Sequence, residues 1–482
     1  MNEDRRKTEQ PNTAADREAY IREMERREAE ASIGTYLDRL CARVKAKELH
    51  PELREEMRGH LDELIADKED AGASTLEAAL WAMKQMGDAD EIGGTLGQVH
   101  RPKFNWKLLV PLGVMAGIGL LALFSLGASG SGVFKYMNPG QQQLPYYAMG
   151  IAALIACCLF DYRLLNKYAV ALYSGTALLT LFFFQAASVK INGTLGWVGL
   201  GPVTFNWTLC MFMLFILALP GMLDRLSLQP ASWQNIRHLI AVGFILLPVA
   251  LYVYFDLLAW LALGLYLVAA TLLYARAGGA KVYLYLLPAA AAAWAVSLYV
   301  RNPQWQERVQ AVFAPQRQSP DSNYMNNVMA AAIREAGWFG QGFGSSGDSI
   351  TYAYADAIFP YLTYSFGWIT AGLLVASIVW LMVLLLHTVR KITEPVGRSM
   401  AAGLSILLAG QWIYGIGASL GLLPMTSLLL PFIGYGGSTT IVHCAIVGLI
   451  LGIYRRKDML PMKRRTEAAD ASGAAPAAAS RY

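Results

Sequence analysis

Charge is scarce in this sequence, and beyond residue 101 negative charge is scarcest. Only 16% of its 482 residues are Asp, Glu, Lys or Arg, whereas 55% are hydrophobic. Apolar runs long enough to cross a bilayer recur through most of the chain, which places it among polytopic helical membrane proteins. Cysteine is also sparse. Cys41, Cys157, Cys158, Cys210 and Cys444 include no CxxC pair, which argues against a disulfide framework or a zinc site. The first hundred residues lack the short apolar core of a cleavable signal peptide.

What is present divides in two. Residues 1–101 hold 16 Lys and Arg against 23 Asp and Glu, and the remainder holds 24 against 12. The basic excess lies in short connections beside apolar runs, where cytoplasmic Lys and Arg are expected, so it does not signal nucleic-acid binding. Residues 1–32 are polar and expected to be flexible or loosely helical. Residues 33–101 read as a small cytoplasmic helical domain. Leu37, Leu40 and Val44 repeat at helical spacing, and a second helix is expected from Pro51. A third starts at the capping box Ser74-Thr75-Leu76-Glu77, and the stretch Gly87–Gly93 is expected to cap it and turn. This unit resembles the permease-prefix or HAAS-type domains attached to some bacterial membrane proteins. Its acidic face could meet an unidentified cytoplasmic partner or simply be solvated.

Ten spans are expected after it, near 107–127, 145–161, 165–187, 203–222, 238–255, 257–275, 281–299, 366–387, 398–420 and 431–454. The membrane domain thus occupies 107–457, and 458–482 reads as a disordered Ala-rich cytoplasmic tail. Arg163, Lys167, Arg225, Arg237, Arg276, Lys281, Arg390, Lys391, Arg398 and Arg455–Lys457 fall in alternate connections. That pattern predicts both termini on the cytoplasmic side. One connection on the other side, 300–357, is far longer than the rest and so invites a functional reading.

Few carboxylates are available for chemistry on that outer side: Asp256, Glu307, Asp321, Glu335, Asp348 and Asp356. Asp356 sits in Tyr354-Ala355-Asp356-Ala357-Ile358-Phe359-Pro360, at the seam between polar loop and apolar run. A carboxylate half out of water there is suited to act as a base, or else it caps the helix that follows. Asp256, between two apolar runs, is a second candidate or a plain turn residue. Near the end of the chain, Gly421–Thr439 breaks an apolar region with Pro424, Pro431, Gly434, Gly436 and Gly437 and carries no charge. Backbone that leaves the helix at membrane depth is tolerated where it lines a cavity or is buried in protein. Pro431 is expected to mark the start of span ten.

These segments, in this order, resemble the SEDS family of bacterial polytopic proteins (FtsW, RodA and SpoVE). Asn192-Gly193 with Trp197-Val198, then Pro248 with Asp256-Leu257, match its early signatures. So do Arg308 to Pro315 with Tyr324, and Gly337-Trp338-Phe339-Gly340-Gln341-Gly342-Phe343-Gly344. Asp356-Ala357-Ile358-Phe359 resembles its HTDFIF motif. Gly421-Leu422-Leu423-Pro424-Met425-Thr426 with Pro431–Ser438 resembles GllPvTGlplPfiSYGGS.

The resemblance implies an all-α, ten-helix enzyme in the bacterial cytoplasmic membrane. It would be an inverting glycosyltransferase that polymerises lipid II into peptidoglycan at the outer face, in cell shape, division or sporulation. It implies Asp356 as general base. Trp197, Asp256, Arg308, Arg334, Gln341, Tyr435, Gly436, Gly437 and Ser438 follow as substrate-binding positions. It also implies a class B penicillin-binding protein as partner. Arg308, Arg334 or a divalent cation (Mg or Mn) would neutralise the pyrophosphate leaving group, and no protein metal site is expected. The motifs are thinned here: Ala355 replaces the Thr of HTD, Tyr364-Ser365 replaces EE, and Gly434 replaces the Ser of SYGG. Two other readings therefore stay open, a transporter of a lipid-linked precursor and a non-catalytic scaffold for a penicillin-binding protein.

Overall fold

A computed structural model describes residues 14–44, 50–99, 104–130, 138–191, 194–200, 203–227, 233–255, 260–301, 303–314, 324–345, 350, 353–425 and 430–457. The chain divides into two compact units, Met1–Lys103 with Arg456–Tyr482, and Phe104–Arg455.

The described part of the first unit is four helices, α1 (Ala14–Arg43), α2 (His50–Asp70), α3 (Thr75–Met86) and α4 (Ala89–Val99). Their apolar faces enclose Leu37, Leu40, Leu61, Ala78 and Ala82. Ser74 caps α3 as its sequence foretells, accepting from the Glu77 N–H. α1 begins at Ala14, which takes the helical of the two alternatives expected for that stretch. One sequence expectation changes. The stretch Gly87–Gly93 does not simply cap and turn, because α4 starts within it. Asp88 accepts from the N–H groups of Asp90 and Glu91 at 2.7 and 3.3 Å and so starts a new helix. Gly93 and Gly97 serve contact rather than termination, since a Cβ at either would strike the α1 backbone at Leu40 or Arg43. Asp90 is held from the far side by Arg39 and Arg43, which draw its carboxyl below the usual range.

The second unit opens with a 3-10 turn, Trp106–Leu108, leading into α5 (Leu109–Ala128). Then come α6 (Pro139–Leu159), the short α7 (Tyr162–Lys167) and α8 (Ala169–Ala186). A three-stranded antiparallel sheet follows, β1 (Ser188–Ile191), β2 (Thr194–Leu200) and β3 (Val203–Asn206), in that order. Next are α9 (Trp207–Ser227), α10 (Gln234–Tyr254), α11 (Trp260–Arg276) and α12 (Lys281–Arg301). The long connection after α12 contains α13 (Pro303–Phe313) and α14 (Tyr324–Glu335). The chain closes with α15 (Ile358–Arg390), α16 (Pro395–Ser419) and α17 (Ser438–Arg455).

Eight of the described helices are long and apolar enough to cross a membrane, and Trp260–Arg276 and Lys281–Ala293 are shorter apolar helices. The protein is a multi-pass, all-α membrane protein with one small sheet. The fourth span starts four residues late. Residues 203–206 pair with β2, and the Asn206 side chain then accepts from the Leu209 N–H to begin α9.

Two apolar clusters fill this unit. The first joins α5, α15, α16 and α17, and the second joins α8, α9, α10 and α11. α6 and α17 approach closely because Gly448 and Gly452 share one face of α17. A Cβ on either would collide with the α6 backbone, at Leu154 or Cys157.

Candidate active site

The site is built around a break in α15. Gly367 has φ 79° and ψ 176°, so the helix leaves its regular path there and resumes. The expected span from 366 therefore has a helical forerunner, Ile358–Phe366. A break frees backbone groups that the low dielectric of a membrane protein must satisfy. The Gly-rich run supplies the partners. Gln341 N–H and Gly342 N–H donate to the Tyr364 and Ser365 carbonyls at 2.9 Å each. Trp368 N–H and Ile369 N–H donate back to the Gly337 and Trp338 carbonyls at 3.1 and 3.3 Å. Gly340 (φ 78°) and Gly367 lie face to face, and a Cβ on either would strike the other's strand of backbone. Ser345 and Ser365 hydroxyls pair at 2.8 Å, and the Gly344 N–H donates to Ser125 Oγ of α5.

Asp356 occupies the turn that enters this half-helix. The capping alternative does not hold, because Ala357 is the N-cap residue and no side chain caps α15. The turn is tied down from another direction: the Tyr435 N–H donates to the Tyr354 carbonyl at 2.7 Å. Asp356 is half-buried. Burial pushes its carboxyl up to about 6, against the pull of the Arg308 guanidinium on α13. Arg308 Nη1 also donates to the Met425 carbonyl at 3.5 Å. Beside it Tyr414 OH donates to the Pro424 carbonyl at 2.7 Å, and Trp260 packs between Tyr414 and Trp305 with ring centroids 5.1 and 4.3 Å away.

The segment before α17 forms the other wall. α17 begins at Ser438, not at Pro431, because the chain between them is held in non-helical form. Phe432 has φ 67°, rare for a residue with a side chain. Its carbonyl accepts from Tyr147 OH at 2.8 Å, and the Pro431 carbonyl accepts from Trp412 Nε1 at 3.3 Å. Tyr435 stands edge-on to Tyr354 and Tyr146 and donates to Gln142 Oε1 at 3.2 Å. Burial raises its phenol pKa, so it stays a neutral donor. The Gly436 N–H donates to Gln143 Oε1, whose amide nitrogen donates to Thr440. Gly437 (φ 39°) faces the Tyr146 ring. Ser438 Oγ is buried with no partner among the described residues.

The structure thus gathers Asp356, Arg308 and Tyr435–Ser438. It does not gather all the expected positions. Trp197 lies in β2, opposite Val189 and Asn206. Arg334 is exposed at the end of α14 and donates to Ala330. Gln341 closes that helix end through the Glu335 carbonyl at 2.7 Å. Asp256 lies outside the described residues. Sequence reading missed Gln142, Gln143, Tyr354 and Tyr414. The signal for the glutamines was Gln141-Gln142-Gln143 directly before an apolar run. Asn138 caps there, so α6 begins at Pro139 and the glutamines are on the helix.

No group of three or more His, Cys, Asp or Glu able to hold a metal occurs among the described residues. Asp356 would offer a divalent cation a single carboxylate, with substrate oxygens left to complete its shell. That is a poor fit for a resident metal.

Residues 103–459 match the family model FtsW/RodA/SpoVE, described as a cell cycle protein. A "Probable peptidoglycan glycosyltransferase FtsW" from Saccharophagus degradans is 24% identical over 381 residues, 76% of this chain and 95% of that protein. A protein of the same name from Thioalkalivibrio sulfidiphilus is 27% identical over 349 residues, 70% of this chain and 86% of its own. Two solved structures share the fold. One, described as "Structural coordination of polymerization and crosslinking by a peptidoglycan synthase complex", superposes with a TM-score of 0.60 at 22% identity, covering 73% of this chain and 98% of that one. The rod shape determining protein RodA of Thermus thermophilus superposes at 0.52 with 19% identity, covering 73% of this chain and 97% of its own. With its membrane unit matched throughout, this chain belongs to the FtsW/RodA/SpoVE family.

Proposed function

We propose that this protein is an inverting peptidoglycan glycosyltransferase that polymerises lipid II, with Asp356 as its general base. The observation that carries the reading is the Asp356 carboxyl, pushed by burial to about 6 and faced by Arg308. A base with a pKa near the working pH is both available in its ionised form and strong enough to take a proton. Asp356 takes the proton of the acceptor sugar hydroxyl as that oxygen attacks the anomeric carbon of the donor. The bond from that carbon to the pyrophosphate oxygen breaks on the opposite face. Undecaprenyl pyrophosphate leaves with its negative charge balanced by Arg308. A pyrophosphate needs no protonation to depart, so a second carboxylate of the glycosidase kind is not required.

The backbone-rich wall at Tyr435–Ser438 supports the same reading. Ser438 Oγ offers a hydroxyl that has no partner among the described residues, and the Tyr435 oxygen, its hydrogen given to Gln142, offers an acceptor to polar groups of a bound substrate. Lys and Arg cluster in alternate connections, a pattern that supports both termini in the cytoplasm and Asp356 at the outer face. The likeness to a peptidoglycan synthase complex supports a class B penicillin-binding protein as partner. The test is lipid II polymerisation by the purified full-length protein, alone and with that partner. Glycan strands from wild type and none from Asp356→Ala are expected. Equal strand yield from both would place the base elsewhere. None from wild type in either setting, with the protein folded and partner bound, would favour a scaffold.

A further inference from the structure

At the end of the membrane unit opposite Asp356, two cavities meet. One is an apolar groove of about 800 Å³ between α11, α15 and α16, lined by Leu273, Val383, Leu386, Val389, Ala402 and Ile406. The other is a recess of about 240 Å³ among the ends of α9 and α11 and the start of α16, lined by Asp224, Ser227 and Ser399. Leu273 and Arg276 line both. The two cavities therefore adjoin, an apolar arm and a polar pocket with a guanidinium between them. Val383 and Leu386 are more than half exposed, so the groove opens sideways from the protein, toward lipid. Its volume lies within the roughly 300–1,000 Å³ of small-ligand sites.

The polar pocket holds one carboxylate, one guanidinium and two hydroxyls. Among the described residues no ion pair within 4 Å joins Asp224 to Arg276. Opposite charges that share a recess without neutralising each other suit a ligand that carries both signs. An apolar arm beside them suits one that carries an acyl chain. We propose that this composite site binds a single phospholipid whose headgroup bears a phosphate and a primary ammonium. The phosphate meets Arg276, with Ser399 able to donate to its oxygens, while the Ser227 hydroxyl donates to the Asp224 carbonyl and holds that end of the pocket in place. The ammonium meets Asp224, and one acyl chain lies in the groove. A purely anionic headgroup would leave Asp224 facing like charge. A quaternary ammonium has no N–H to give it. An apolar partner helix would fill the groove but leave the charged recess unanswered.

The position gives the lipid a structural consequence. Leu273 belongs to the second apolar cluster, while Val389 and Ala402 belong to the first. A chain laid along all three touches both halves of the membrane unit and should stiffen them against each other.

The test uses the full-length protein, delipidated in detergent and then given phosphatidylethanolamine, phosphatidylglycerol or phosphatidylcholine with the same acyl chains. Native mass spectrometry reads the lipid retained, and thermal unfolding reads the stabilisation. One phosphatidylethanolamine per protein is expected, held at least about tenfold more tightly than the other two and raising the Tm. Arg276→Ala and Ala402→Phe should each weaken it by about tenfold, and Asp224→Asn should erase the preference over phosphatidylglycerol. Arg276→Lys, which keeps the charge, should retain the lipid and serves as the folding control. Equal retention of all three lipids by wild type would overturn the proposal. So would retention unchanged by Arg276→Ala and Asp224→Asn together. Cross-linking of a partner protein's membrane helix to the thiol of Val383→Cys would also overturn it.

Discussion

The two apolar clusters of the membrane unit are built in different ways. The cluster of α8, α9, α10 and α11 is made of helices that stay helical, even where Pro220 and Pro248 interrupt their bonding. Its positive-φ glycines among the described residues, Gly196 and Gly278, lie outside those helices. Aromatic rings fill it: Tyr173 against Phe215 and Phe244, and Phe212 stacked on Tyr266. The cluster of α5, α15, α16 and α17 is broken where it meets the long connection between α12 and α15, at Gly367 in α15 and at Phe432 and Gly437 before α17. The difference teaches where irregular backbone is placed in a protein that has little water to satisfy it. One half closes a wall by regular packing. The other frees backbone carbonyls and N–H groups, re-pairs them with a second irregular segment, and holds Asp356 between the two.

The largest expected effect would break that comparison outright. In Gly367→Val the new side chain meets backbone at Trp338 and Gly340, which cannot yield as a side-chain tip can, and φ of 79° adds strain. A loss of at least ~3 kcal/mol is expected, read as failure to recover monodisperse protein. Normal yield and activity would show the staple to be dispensable. Next comes Arg308→Ala, which removes the cation facing Asp356. Polymerisation at pH 8 should fall about 10²-fold with the Tm little changed. A smaller effect sharpens the contrast. Gly410→Ala, at the seam of α16 with α11, meets only the mobile end of Leu265, so it should cost under about 1.5 kcal/mol in thermal unfolding. The smallest belongs to the other unit. Asp90→Asn takes one charge from the Arg39–Asp90–Arg43 contact. It should speed amide exchange in α4 of the full-length protein without altering polymerisation.

Much of the fold was legible because hydrophobic runs of bilayer length need only counting. Ten apolar runs, a long connection before the eighth and the cap at Ser74 all show as local patterns, and eight of those runs form helices long and apolar enough to span, the sixth and seventh forming shorter ones. What was not legible came from contacts distant in sequence. Gly93 reads as a stop until α1 is seen against it. Gly367 reads as the start of a span until the Gly337–Gly342 run pairs across it. Pro431 reads as a helix start, yet Tyr147 and Trp412 hold the following backbone away from a helix. At the site, Asp356 and Arg308 stood out because charge is rare there. Gln142, Tyr354 and Tyr414 did not, since a single Gln or Tyr near an apolar run has no distinguishing local sign. Arg334 and Gln341 were drawn in by sequence likeness alone. The structure instead places both side chains on the carbonyls of α14.

The central claim is that burial and Arg308 together set Asp356 near neutrality as the base. The pH dependence of lipid II polymerisation by wild type and Arg308→Ala tests it most directly. A carboxyl raised to about 6 must lose its proton to act, so the wild-type rate should climb with pH and level off above about 6. Arg308 lowers that pKa, so its removal should move the climb to higher pH. A rate flat between pH 5 and 7, or a climb that stays in place in Arg308→Ala, would contradict the account.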